Sequence, residues 1–221
     1  QMGAAAPAVR VAAAVSAVPR LIVTGMGEAG QMTIQQILLA YSHPTLWAKS
    51  IARGFQNLVR PGDFKRFIGS PLAERAARHN VDVGTYVSEF FEAGALLKRI
   101  PVAGQVVSGT ESVFEGMLAA GRIYLYGALE TGAKSEAEKL RLGRFANTFL
   151  GTPNIRPLGV SATQRGVENA FIFFSSRYTR SLPAVVGHMF GSGATAAEAR
   201  RAISLALLGG AATYVGLAKM A

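Results

Sequence analysis

Helix-start signals constrain the fold of this chain more than any other sequence feature. Four segments have a Ser or Thr followed three residues later by Glu or Gln, a spacing that caps a helix N-terminus. They begin at Ser108, Ser135, Ser161 and Thr195, and each precedes apolar residues at helical spacing. The period-2 alternation of a strand is almost absent. We therefore predict an all-α protein, an irregular bundle of about eight helices, compact or extended, that ends in an apolar, glycine-containing helix.

Prolines, glycines and caps divide this pattern into separate helices. Ser70 and Asp82 are placed to cap two of them. The helices predicted in the first half are 31–40, 45–59, 71–79 and 82–98. The later helices are separated by Pro101, Gly132, Pro153 with Pro157, and Pro183. A hinge is expected near Leu150–Pro157.

The length of 221 residues suits one domain or two small ones, at roughly 150 residues per domain. We divide the chain into an Ala/Gly-rich lead-in (1–30), a helical bundle (31–150) and a helical segment with a basic-aromatic tract and the apolar terminal helix (151–221). The chain starts at Gln1 and stops within an apolar run, so we expect a fragment of a longer protein. Pro7 and Arg10 interrupt the first apolar residues, which argues against a signal peptide.

Composition narrows the class of protein. Half of the residues are hydrophobic and the mean hydropathy is +0.26, which excludes a disordered tail. There are 23 Lys and Arg residues against 13 Asp and Glu, and both halves of the chain share this excess. The absence of cysteine excludes disulfides, zinc–thiolate sites and cysteine nucleophiles.

A glycine-rich run near the start has the spacing of a dinucleotide-binding loop. A predicted strand over 21–23 precedes residues 25–30, which follow the pattern G-x-G-x-x-G. The acidic residue expected about 20 positions later is missing from 45–55, and no second strand–helix unit follows. Glu28 would also repel a phosphate. We expect a loop or a glycine-broken helix here, and we predict no cofactor.

No residue pattern indicates a catalytic or metal site. His43, His79 and His188 are far apart in sequence and lack metal-ligand spacing. The sequence over 191–193 is typical of a helix terminator rather than of a nucleophile turn. We predict a non-enzymatic protein with no catalytic residue, metal or small-molecule substrate. A nucleotide-dependent enzyme is a third hypothesis that rests only on the glycine-rich run.

A basic tract with interleaved aromatic residues extends over 139–180. Glu168 alone opposes its seven cations. Arginine side chains suit the phosphates of nucleic acid or lipid, but arginines outside helices with an aromatic core would give the same pattern. The helical spacing of Val167, Phe171 and Phe174 favours the core for these three. The candidate phosphate contacts, to DNA or lipid, are Arg144, Arg156, Arg165, Arg177 and Arg180.

The last apolar segment is the second unusual feature. Residues 202–218 carry no charge and lie between the pair Arg200–Arg201 and Lys219. At 1.5 Å per residue they would span roughly 25 Å, just short of a hydrocarbon layer of ~30 Å. The segment is therefore either buried in a larger bundle or in contact with a membrane. The membrane-contact candidates are Leu205, Leu207, Leu208, Gly209, Gly210, Tyr214, Val215 and Leu217.

Three groups of residues also occur in a recognisable order. The first is Lys-Arg-Ile-Pro-Val-Ala-Gly at 98–104, followed by Thr110, Glu111, Phe114, Gly116, Leu118 and Arg122. The second is Arg-Phe-Ala-Asn-Thr at 144–148 with Gly151, and the third is Asn169, Phe173, Phe174, Ser175 and Arg177. With Gln31, His43 and Pro44 upstream, this series resembles a segment of the very long "large polyvalent" proteins of tailed bacteriophages. The resemblance covers about residues 31–190.

The chain departs from that family at three positions of these motifs. Ser112, Ala119 and Ser176 stand where the family has Arg, Asn and Pro, so any site made by these residues is altered here. The resemblance implies a segment of a giant phage polypeptide, several of which are packaged in the head and ejected with the DNA. It implies no catalytic residue.

From the resemblance we expect a structural module of a phage virion or ejection protein that assists genome delivery across the host envelope. The expected location is the virion, in the capsid interior or the portal and tail region, and then the host envelope. Expected partners are further copies of itself and portal, tail or other ejection proteins, with DNA and membrane lipid as further candidates. The alternative is a soluble, phage-delivered intracellular factor, either an anti-defence or a scaffold module of a giant multidomain protein.

Overall fold

The computed structural model describes residues 36–84, 101–151 and 176–220, which contain helices and no strand. This confirms the predicted all-α fold for those ranges, with eight α-helices and one 3₁₀ turn at Glu130–Gly132. The helices are α1 Ile37–Ser42, α2 Pro44–Val59, α3 Pro61–Ile68, α4 Pro71–Arg78, α5 Pro101–Leu129, α6 Glu136–Phe149, α7 Ser176–His188 and α8 Gly193–Met220.

Helix α5 supplies the centre of the apolar core. Its side chains Ala120, Ile123 and Leu125 are fully buried. They belong to one cluster that also contains Phe145 of α6 and Ala199 of α8. Helices from before and after residue 150 therefore share a single core in the described part of the chain.

Two glycines allow α2 and α5 to approach each other closely. A Cβ atom at Gly54 would lie 2.5 Å from the carbonyl oxygen of Val113, and a Cβ at Gly116 would lie 2.9 Å from the Asn57 Cβ. A larger residue at either position would clash with the opposite helix. At the same crossing, Asn57 Nδ2 donates a hydrogen bond to the Ser112 carbonyl at 2.7 Å.

Gln36, fully buried just before α1, connects three helices. Its Nε2 donates to the Met117 carbonyl at 3.0 Å, and its Oε1 accepts from Ser50 Oγ at 2.8 Å. Burying an amide is costly unless its polar atoms are paired. These two bonds therefore fix the start of α1 against both α2 and α5.

The turn after α4 is held by side chains from two other helices. Asn80 has a φ of 65°, and Asn147 Nδ2 donates to the Asn80 carbonyl at 2.7 Å. Asn147 Oδ1 accepts from the Asp82 backbone N–H at 2.8 Å. Arg122, 1% exposed, donates to the Asp82 carbonyl at 2.9 Å. This turn therefore joins α4, α5 and α6.

Two predicted helix starts are confirmed in detail. Ser135 Oγ accepts from the Glu138 N–H at 3.2 Å and the Glu138 carboxylate accepts from the Ser135 N–H at 3.2 Å, which completes the capping box of α6. Ser70 Oγ accepts from the Ala73 N–H at 3.4 Å, and Pro71 is the first residue of α4.

The capping box at Ser108 is wrong as a helix start, because it lies inside a longer helix, and the box at Thr195 lies two residues after the start of α8. Ser108 is within α5, which begins at Pro101, and Thr195 is within α8. Pro101 itself has the backbone angle of a helix start, so α5 begins before the Ser108 signal. Ser112 Oγ instead bonds back to the Ser108 carbonyl at 2.9 Å. The box at Ser161 lies outside the described residues.

The prolines also behave differently from the prediction. Pro61 follows α2 as expected, but it begins α3, a helix that the sequence reading missed and that buries Phe64 and Phe67. Pro183 does not separate helices, because it lies within α7. The helix continues past it with Val185 fully buried in the core, which outweighs the poor helix preference of proline.

The remaining predicted helices divide between confirmed and untested segments. The helix over 45–59 is confirmed as α2, and that over 71–79 is confirmed as α4. Of the helix over 31–40, the part from Ile37 is present, and 31–35 lies outside the described residues. Asp82 accepts from the Gly84 N–H at 3.1 Å, as a cap does, but residues 85–98 also lie outside them.

Replacing Gly143 by Ala tests the contact between α6 and the turn after α4. A Cβ at Gly143 would lie 1.8 Å from the His79 carbonyl oxygen, so backbone must move. We expect the free energy of unfolding to fall by about 2–3 kcal/mol. Gly62→Ala is the control, since a Cβ there meets nothing within 4 Å. Urea unfolding should show no loss for the control, and equal stability of the two variants would contradict the contact.

Candidate functional site

Five polar side chains connect α4, α5 and the start of α6, and we call them the polar cluster: Arg75, His79, Tyr126, Glu130 and Glu136. His79, 6% exposed, lies at its centre. Its Nδ1 is 2.6 Å from the Tyr126 hydroxyl oxygen, and its Nε2 is 2.6 Å from Glu136 Oε1. The His79 and Tyr126 rings stack with centroids 5.5 Å apart. One imidazole therefore bridges a buried phenol and a surface carboxylate.

The other half of the polar cluster centres on Glu130. The Tyr126 hydroxyl lies 3.2 Å from Glu130 Oε1, and Arg75 Nε lies 3.3 and 3.4 Å from the two Glu130 oxygens. Burial raises the pKa of the Tyr126 phenol, and the negative charge of Glu130 raises it further. Tyr126 therefore remains a neutral hydrogen-bond donor in the folded protein.

The contacts of His79 and Tyr126 in the polar cluster need one hydrogen each, and these two side chains supply them. Tyr126 has one hydroxyl hydrogen and two neighbours that can accept it, Glu130 and His79 Nδ1. When both His79 nitrogens carry hydrogen, His79 donates to Tyr126 and Glu136 while Tyr126 donates to Glu130. Every contact then has its hydrogen. With only one nitrogen of His79 protonated, one contact in the cluster lacks a hydrogen.

Accessibility limits what the polar cluster can do chemically. The Glu136 and Arg75 side chains are 70% and 43% exposed, whereas His79 and Tyr126 are buried. A ligand in solution could reach the carboxylate and the guanidinium but neither the imidazole nor the phenol. The arrangement suits a connection between helices better than acid–base catalysis.

The sequence does not predict this cluster, because the residues in contact are distant along the chain. His79 lies 47 residues from Tyr126 and 57 residues from Glu136. The one local signal is the four-residue spacing between Tyr126, near the end of α5, and Glu130, at the start of the 3₁₀ turn that follows, which brings the two side chains together. Nothing in the sequence shows that His79 completes that pair.

The structure describes only part of the predicted phosphate-contact set. Arg144 is exposed on α6. Arg177 and Arg180 lie on α7, but only their backbone is described, and Arg156 and Arg165 lie outside the described residues. The described side chains therefore do not bring the five arginines together. The aromatic residues Phe145 and Phe149, from the start of the same tract, are buried in the core.

The other two histidines have separate surroundings. His188 is half-buried with its ring 5.0 Å from that of Phe145, and burial lowers the pKa of its imidazole. His43 Nε2 lies 3.1 Å from Glu198 Oε1, but the two atoms do not form a hydrogen bond. Within the described ranges, no group of three or more acidic or histidine side chains is placed to hold a metal ion.

The first half of α8 packs on the bundle, and its second half projects from it. Gly209 lies against the ring of Tyr41, because a Cβ there would be 2.1 Å from the ring. Four large apolar side chains beyond Ala206 are exposed: Leu207 by 70%, Leu208 by 67%, Tyr214 by 75% and Val215 by 50%.

The remaining membrane-contact candidates differ in their surroundings. Leu205 is 36% exposed and Gly210 is exposed, while the side chain of Leu217 is not described. Among the helices in the described part of the chain, none combines the length and the hydropathy needed to cross a membrane.

Comparison with known proteins gives no relative for this chain. No family model matches it, and neither a curated protein nor a solved structure does.

Tyr126→Phe tests the polar cluster through the pH dependence of stability. At pH 7 we expect the variant to lose about 1–3 kcal/mol of unfolding free energy, because the contacts of the Tyr126 hydroxyl with His79 and Glu130 are lost. The folded pKa of Tyr126 is raised above its ordinary value of 10.0. The contribution of the neutral Tyr126 hydroxyl to the free energy of unfolding is therefore complete below pH 10 and is lost as the pH rises further.

Urea unfolding between pH 7 and pH 11.5 measures this effect. The difference between the wild type and the variant should narrow above pH 10, because the other tyrosines are common to both proteins. A difference that stays constant to pH 11.5 would contradict the buried, neutral state of the phenol.

Proposed function

We propose that the chain is a non-enzymatic structural module of a tailed-phage virion or ejection protein. It would be packaged in the particle, in the capsid interior or near the portal and tail, and would assist genome delivery across the host envelope. The observation that carries the proposal is the role of the residues behind the phage-protein resemblance. Four of them with described side chains, Gly116, Arg122, Phe145 and Asn147, hold helices together.

Each of these residues has a definite packing contact. Gly116 permits the crossing of α5 with α2, and Phe145 is fully buried in the core. Arg122 and Asn147 hold the backbone of the turn after α4. A motif whose members fix a bundle supports an architectural module. An enzyme motif would instead place reactive groups around an accessible centre.

The charge of the chain supports an anionic partner. The net charge is +10, and the exposed Arg144 lies on α6 with no acidic residue after Glu138 in that helix. Phosphates of packaged DNA are partners that such a surface can neutralise. Portal, tail and other ejection proteins, and further copies of the chain, remain proposed partners on the strength of the resemblance.

Quantitative mass spectrometry of purified particles tests the proposal. Peptides of this chain would be measured in full particles and again after triggered genome release. Presence when full with loss on emptying supports an ejected module, and retention in both supports a fixed part near the portal or tail. Absence from both would overturn the virion proposal and favour the phage-delivered intracellular factor.

Replacing Arg144, Arg165 and Arg177 by Gln tests DNA as the partner. Each phosphate contact adds about 0.9 to the slope of log affinity against log salt, so the slope should fall by about 2 to 3 if all three bind phosphate. The control replaces the exposed Arg60, Lys65 and Arg78 outside the tract, with the same change in charge. Equal slopes for the two triple variants in a fluorescence-anisotropy salt series would remove the tract as the DNA contact.

A further inference from the structure

Four large apolar side chains in the projecting half of α8 lie on one face. Leu207, Leu208, Tyr214 and Val215 are half to three-quarters exposed, and they follow the spacing i, i+1, i+7 and i+8 of a single helical stripe. The exposed Ala211 and Ala218 complete the stripe. We call these six residues the terminal face.

The terminal face is directed away from the bundle. Gly209, which packs against Tyr41, lies on the other side of the helix, and the small Gly216 is seven residues further along that side. Gly209 therefore lets α8 approach Tyr41 on this side, while the four large described side chains lie on the other side. A stripe of Leu, Tyr and Val in water needs a partner that removes it from water.

The charges around the terminal face indicate what that partner is. Arg200 and Arg201 precede the uncharged residues 202–218, and Lys219 follows them. No acidic residue occurs after Glu198, whose buried carboxylate lies 3.1 Å from His43 Nε2 and 3.7 Å from Arg201 Nη1. A surface that complements this segment must therefore be apolar in its middle and negatively charged at its edges.

We propose that the terminal face binds the surface of a bilayer that contains anionic lipid. The helix lies along the interface with the terminal face among the acyl chains, and the flanking cations remain with the phosphates. The tyrosine suits this position, because its ring is apolar and its hydroxyl stays wet. The inference deepens the proposed function, on which its setting at the host envelope rests.

A second copy of the chain fits the same face less well. Pairing two copies along α8 would bring Arg200, Arg201 and Lys219 of each near those of the other, in either orientation, and Glu198, beside Arg201, is the one carboxylate on this helix. Like charges in contact oppose association. An anionic lipid surface meets the same cations favourably, and each contributes to binding within a Debye length.

Vesicle flotation of the full chain tests the proposal. The probes are vesicles of phosphatidylcholine alone and of phosphatidylcholine with phosphatidylglycerol. We expect binding to the mixed vesicles that weakens in high salt. Leu207→Ser combined with Leu208→Ser and Val215→Ser should weaken it by roughly tenfold or more, since each residue contributes apolar area to the bilayer.

The control removes apolar surface of the same exposure elsewhere. Phe55→Ser with Val59→Ser changes side chains that are 54% and 72% exposed at the end of α2, and it should leave vesicle binding unchanged. Circular dichroism of both variants checks that the helices are retained. Equal loss of binding in both variants would overturn the assignment to α8.

A fluorescent reporter locates the face directly. The chain has one tryptophan, Trp47, whose buried indole Nε1 has no hydrogen-bond partner, so Trp47→Phe removes it at little cost. Adding Tyr214→Trp places a single indole on the terminal face. Its emission should shift to the blue and be quenched by brominated acyl chains with the mixed vesicles.

Three results would overturn the proposal, and the first is an indole emission that does not shift with the mixed vesicles. The second is binding to phosphatidylcholine vesicles in high salt that equals the binding to the mixed vesicles. The third is a dimer that forms without lipid and that the Leu207, Leu208 and Val215 substitutions dissociate. The last would assign the face to a second copy. None of these results depends on whether the chain is present in phage particles. A negative vesicle result therefore leaves the virion proposal standing, and absence from particles leaves the vesicle result standing.

Discussion

The close crossing of α2 and α5 at Gly54 and Gly116 is the contact on which the rest of the bundle depends. Without side chains at these points, the two backbones come near enough for Asn57 to reach the carbonyl of Ser112. The same approach lets Ser50 and Met117 share the buried amide of Gln36. Since α5 supplies the centre of the core, its distance from α2 sets the space available to the other helices.

Polar contacts on the opposite side of α5 determine how α4 and α6 pack on it. The apolar core alone would tolerate several arrangements of small helices, because hydrophobic contact is not directional. Buried hydrogen bonds are more selective, since a lost partner leaves a polar group without water. Asn147 and Arg122 bind one short stretch of backbone, and His79 links two helices through fixed ring nitrogens. These contacts select one packing of α4 and α6 on α5.

The sequence predicted the fold class and several helix ends because those depend on neighbours in the chain. Ser70 and Ser135 cap helices through residues three positions away, which a pattern can show. Ser108 has the same local pattern, yet it lies inside α5, because the pattern cannot tell a cap from a helix already begun at Pro101. The apolar terminal segment was predicted as a helix, but its exposure depends on where the bundle ends. The partners of His79 could not be predicted, since the pairing arises only from tertiary packing.

The distances along the chain between contacting residues have a consequence for the order of folding. The hydrogen bonds of α5 close over four residues and form early, whereas His79 must meet Glu136 across 57 residues and Asn80 must meet Asn147 across 67. Closing such loops costs entropy that only the finished junction repays. The long-range contacts, among them the bond of Gln36 to Met117 across 81 residues and the junction of α4 and α6, therefore form late in folding. Substitutions at these contacts should accelerate unfolding and leave the folding rate nearly unchanged, so they shorten the lifetime of the native bundle.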